Sequence, residues 1–128
     1  MREILSRGIR EDNNEWVTGY YGFKDLTEEH FIIVPTLDIH SDVRPQYFTD
    51  YIVKVETIGE YTGMKDMNKT KIFTGDIVRA VKRAWETVGE YEVTFLNGCY
   101  MFGTFNAHEF FNKHTEIKVM GNIYENKN

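Results

Sequence analysis

Two aromatic and β-branched runs, Tyr91-Glu92-Val93-Thr94-Phe95 and Tyr100-Met101-Phe102, are separated by little more than Asn97-Gly98. A type I′ turn needs positive φ at both central residues, and Asn-Gly supplies it at the least steric cost, so this stretch is committed to an antiparallel hairpin. A second punctuation lies at Thr74-Gly75-Asp76, where glycine can take positive φ and the aspartate can accept from the backbone beside it. Turns this tight leave room for strands and very little else.

The rest of the chain follows the same pattern. Glu3 to Ile9, a polar Arg10-Glu11-Asp12-Asn13-Asn14, and Glu15 to Tyr21 form an expected first hairpin. Phe31-Ile32-Ile33-Val34 is a continuous apolar run suited to a buried strand, stopped by Pro35. Leu37 to Pro45 has no core-facing period and is expected as a loop, with strands again over Tyr47 to Val55 and Ile58 to Thr62. Lys65 to Thr70 is turn-rich, Ile72-Phe73 is a brief return, Ile77 to Trp85 is the next strand, and Asn106 to His114 is a short helical turn. Glu116 to Tyr124 closes with a strand broken near Gly121. Aromatics at 15% suit half-buried sheet surfaces. The expected class is mainly β: an SH3-like small barrel in residues 56–128, whose closure would remove exposed edges, with an N-terminal β-hairpin or small sheet in residues 1–55 packed on it.

Composition narrows the compartment and the chemistry. Cys99 is the single cysteine, which excludes an intrachain disulfide, and Met1-Arg2-Glu3-Ile4-Leu5 lacks the apolar run of a secretory leader. No stretch approaches the roughly 18 apolar residues of a membrane span, so the expectation is a cytoplasmic chain with no membrane partner. The net charge is −5, yet between Lys65 and Arg83 the cations Lys65, Lys69, Lys71, Arg79, Lys82 and Arg83 face only Asp66 and Asp76, a local +4. Any nucleic-acid surface is therefore a stripe on an otherwise repelling molecule.

Several motifs in one order carry a family resemblance. Met1-Arg2-Glu3-Ile4, Arg7-Gly8, Glu15-Trp16-Val17 with Gly19, Glu56-Thr57-Ile58-Gly59-Glu60-Tyr61-Thr62-Gly63-Met64-Lys65-Asp66, Lys71-Ile72-Phe73 with Gly75-Asp76-Ile77-Val78, and Gly121-Asn122-Ile123-Tyr124-Glu125-Asn126 together resemble the YopX family of phage and prophage proteins. The resemblance implies an SH3-like barrel and a phage or prophage setting in a host cytoplasm, and implies no activity. Two departures stand out: Asn68-Lys69 occupies the central turn where the family has Asn-Gly, so a non-glycine residue is expected to turn left-handed at a cost of about 1 kcal/mol. Ser6 replaces the aromatic found just before the first-strand arginine, which points to a smaller contact there.

Candidate sites divide by what their spacing permits. His108-Glu109 and His114 do not make a zinc-protease helix, because that pair lies about four residues apart on one face and here the histidines are farther apart. Asp38, His40 and Asp42 alternate and would share one side of an extended strand, against a plain polar loop. Cys99 beside the hairpin glycine has no neighbour in sequence to activate it, and the carboxylate pairs Glu28-Glu29 and Glu90 with Glu92 fit a solvated face. No catalytic set, metal or cofactor is expected. The strongest lead is Arg79, Lys82, Arg83 and Trp85, where strand alternation puts Arg79, Val81, Arg83 and Trp85 on one face and Lys82 on the other. These residues suit phosphates and a stacked base, or else a strand whose charges pair with the acidic remainder. The expected function is a non-enzymatic protein-interaction or assembly module, with a second copy or a host or phage protein as partner. Nucleic acid bound by the basic strand is the alternative.

Overall fold

The computed structural model of the chain describes residues 3–37 and 46–125, and the strands fall in antiparallel sheets. Two compact units divide between Glu60 and Tyr61, inside a strand, whereas the strand and turn pattern of the sequence places the division after Val55.

In the first unit β1 (Ser6–Ile9), β2 (Trp16–Lys24), β3 (Glu29–Leu37) and β4 (Gln46–Ile52) pair each with the next. The expected first hairpin forms, with Arg10 N donating to Glu15 O at 2.9 Å and Asn14 turned left-handed at φ 60°. Of the apolar run, Phe31 and Ile32 are buried and Ile33 and Val34 half-buried. Gly19 is demanded by packing: a Cβ there would lie 2.3 Å from the Ile33 carbonyl oxygen. Pro35 does not end its strand, because the β2 ladder stops at Ile33 and leaves Pro35 opposite Phe48 alone, an edge-like place where its missing N–H is tolerated. Past β4 the chain returns to β1 at one point: Arg10 bridges Val53, and Lys54 N donates to Ile9 O at 2.9 Å. A 3-10 turn, Val55–Thr57, then leads into β5 (Gly59–Lys65), whose first residues pair with β1.

In the second unit the rest of β5 pairs with β6 (Lys71–Phe73). β7 (Asp76–Lys82), β8 (Val88–Leu96), β9 (Cys99–Phe102), β10 (Phe105–Asn106) and β11 (His114–Asn122) make a sheet in the order β10-β9-β8-β7-β11, with α1 (Ala107–Lys113) between β10 and β11 in sequence. The Asn-Gly hairpin is as expected, with Asn97 at φ 52° and Gly98 at φ 81° joining β8 to β9. So is the turn before β7, where the buried Asp76 carboxylate accepts from Phe73 N at 2.7 Å. Lys69 takes the left-handed conformation at φ 65°. The core joins Ile72, Val78, Ala80, Val93, Phe102, Phe110 and Ile117. Phe110 brings the helix into it by stacking on Phe102 at 4.7 Å, and burying such a ring stabilises by about 3 kcal/mol.

The SH3-like expectation reduces to a coarser statement. The protein is mainly β with two antiparallel sheets, neither closed, and after β10 the chain enters α1 instead of a strand that could pair across the gap. No helix among the described residues is long and apolar enough to cross a membrane.

Candidate binding cleft

β7 alternates as a half-buried strand should, with Asp76, Val78 and Ala80 buried and Arg79 exposed. It ends at Lys82, where the backbone closes a loop: Lys82 N donates to Thr87 O and Glu86 N to Lys82 O, both at 2.8 Å. No glycine is available in that loop, so Glu86 takes positive φ, 53°, at a cost of about 1 kcal/mol. The loop is hooked to the helix end by Arg83 N, which donates to Lys113 O at 2.9 Å.

The helix end is fixed from both sides. Asn106 caps the N-terminus, its Oδ1 accepting from Glu109 N at 2.8 Å. At the other end His114 is 1% exposed, with Nδ1 2.9 Å from Phe110 O and Nε2 3.2 Å from the Tyr91 hydroxyl. A carbonyl only accepts, so Nδ1 carries the proton and Nε2 accepts from Tyr91 in the neutral ring. The imidazole also stacks on Phe110 at 4.2 Å. These contacts tie His114, the residue directly after Lys113, to Phe110 and Tyr91.

Between the loop and the helix end lies a cleft of about 510 Å³ lined by Lys82, Arg83, Ala84, Trp85, Asn112 and Lys113. The indole is 71% exposed. Lys113 Nζ lies 3.9 Å from Glu109 Oε1, a half-exposed pair too long and wet to neutralise the site. Cationic donors, an amide and an aromatic face can hold an anion and stack a planar group. No lining residue brings a carboxylate, thiol or hydroxyl.

Of the sequence candidates, Lys82, Arg83 and Trp85 come together here and Arg79 does not. Arg79 lies back along β7, paired with Glu90 of β8 and Lys118 of β11. The expected alternation fails for a local reason: Arg83, Ala84 and Trp85 are turn, not strand, so they leave the pleat and Lys82 joins them instead of facing away. Asn112 and Lys113 were missed, and no local pattern could have tied residue 113 to residue 83. Their one signal is a cation in the last turn of a helix, a placement the helix dipole favours.

The remaining candidates stay apart. His108 and His114 do not converge, since His108 is bonded to Asn112 at 3.1 Å and His114 is buried. Asp38, His40 and Asp42 lie outside the described residues. Among the described residues no group of three or more His, Cys, Asp or Glu is placed to hold a metal ion. Cys99 is exposed at the β8–β9 turn. The first unit has a depression of about 440 Å³ lined by Glu11, Asp12, Asp50, Tyr51 and Ile52, of opposite character to the basic cleft.

A family model described as YopX protein matches residues 6–128. No curated protein matches the chain. Among solved structures it is similar to the crystal structure of protein EF1440 from Enterococcus faecalis, with a TM-score of 0.63 and 19% identity over 98% of this chain and 96% of that one. That likeness concerns the fold alone.

Proposed function

The chain belongs to the YopX protein family, and from that premise we propose that it is a non-enzymatic interaction or assembly module that captures an anionic partner in the cleft of its second unit. The observation that carries this reading is the convergence of Lys82, Arg83 and Lys113 around an exposed Trp85. The family resemblance supports a phage or prophage setting in a host cytoplasm. The tight turns between antiparallel strands of the second unit, in a sheet that is not closed, are the support for a likeness to SH3-like binding modules.

A chain of net charge −5 has no general affinity for a polyanion. Retention on a polyanion column at low salt therefore reports a local basic site. The full-length protein is expected to be retained and the Arg83→Glu, Lys113→Glu double variant to pass through. Passage of the unsubstituted protein at the lowest salt would overturn the proposal.

A second reading rests on the first unit. Strand register puts Tyr20 with Ile33, Phe31 with Ile52 and Pro35 with Phe48 on one sheet face, where Phe48 is 62% and Tyr20 51% exposed. The same register puts Asp50 opposite Ile33, so the face is largely apolar with a carboxylate in it, and its exposed aromatics suit self-association.

A further inference from the structure

Resting on the anionic-partner reading of the cleft, we propose that the partner is single-stranded nucleic acid, with phosphates held by Lys82, Arg83 and Lys113 and one base stacked on Trp85. An acidic peptide would use the cations and leave the indole without a role. A duplex would offer phosphates but keep its bases stacked on one another and out of reach. A single strand presents both an anionic backbone and an unstacked aromatic face, and indole stacking tolerates any base.

The surroundings fit a short contact. The cleft volume of about 510 Å³ lies within the roughly 300–1,000 Å³ of small-ligand sites, room for a nucleotide and not for a long footprint. Asn112 also lines the cleft, its amide nitrogen bonded to His108 Nε2 at 3.1 Å, which orients the side chain beside the cations. Contact is therefore limited to about three phosphates, which sets a modest salt dependence: the logarithm of affinity falls with a slope of about −2 against the logarithm of salt.

The test is fluorescence anisotropy with full-length protein and labelled single strands of about 12 nucleotides. Raising salt from about 50 to about 200 mM is expected to weaken binding about 20-fold. Trp85→Ala is expected to weaken it about 10-fold without changing the salt slope, and Trp85→Phe to restore part of the loss. Arg83→Gln should reduce the slope by about 0.7, the value for one phosphate on a single strand. These side chains are exposed or at a loop, and circular dichroism checks that each variant folds. A poly-glutamate peptide or a duplex that binds as tightly as the single strand, with no effect of Trp85→Ala, overturns the single-strand proposal and leaves the anionic-partner reading standing. Absence of binding to all three probes at about 50 mM salt overturns both.

Discussion

Asp66 shows how one side chain can carry a turn. Its carboxylate is buried and accepts from three backbone donors, Asn68 N at 2.8 Å, Thr70 N at 2.9 Å and Val119 N at 2.9 Å, so it both shapes the turn containing Lys69 and ties that turn to β11. Burial pushes the carboxyl up, but the N–H groups of Val119, Thr70 and Asn68 and the nearby Lys118 outweigh it and hold the pKa below the ordinary 3.8. A lowered folded value means that the unfolded chain binds the proton more readily. The stabilisation is therefore present above the ordinary carboxylate range and is lost as pH falls through the lower folded value. Asp66→Asn, which loses acceptor strength and must place an NH₂ against a backbone donor, is expected to cost about 1–3 kcal/mol at neutral pH by urea denaturation. The same variant should show less loss of stability on acidification than the unsubstituted protein. Sequence had marked this turn only by its missing glycine, and Lys69 pays the steric penalty foreseen for it. The anchoring to Val119 was not legible, because that bond links residues 66 and 119, far apart in sequence.

At the scale of elements, whatever local chemistry dictates was readable. Asn97-Gly98 fixed its hairpin, Gly75-Asp76 its turn, and the apolar run at Phe31 its buried strand. Where an element ends depends on partners, and there the reading failed: nothing between Val81 and Trp85 announces that β7 stops at Lys82, since the stop is set by Thr87 and by the hook from Arg83 to Lys113. Asn112 and Lys113, the helix-end side of the cleft, went unread for the same long-range reason. α1 makes the consequence measurable. At seven residues it is too short to persist on its own, so its cap and its buried Phe110 decide whether Asn112 and Lys113 stay in place. Asn106→Ala is expected to cost about 1 kcal/mol of stability by thermal denaturation, and to weaken polyanion retention although Asn106 is not among the residues lining the cleft. Unchanged retention would mean that the helix end does not help form the site.

For the whole molecule, the net of −5 conceals a partition. Residues 1–60 hold six of the fifteen Lys and Arg but twelve of the twenty Asp and Glu, a net of −6 that leaves residues 61–128 at +1, so all the excess negative charge belongs to the first unit. A basic cleft in the second unit therefore need not contend with a uniformly acidic surface. The mainly-β class and the family were legible because turns and motif order are local; sheet closure was not, since it depends on which edges meet after α1. If the exposed face around Tyr20, Ile33 and Phe48 brings copies together, light scattering will show a mass that rises with concentration and resists salt, as apolar contact does and charge pairing does not. A constant monomer mass would set that reading aside. The β8–β9 turn, finally, gives the experimenter a single address. With its one thiol exposed at the turn, Cys99 is expected to take one maleimide dye per chain at a known position. The same thiol, left unreduced, can couple two chains by a disulfide and counterfeit the self-association under test, so assays of assembly call for a reductant or a Cys99→Ser background.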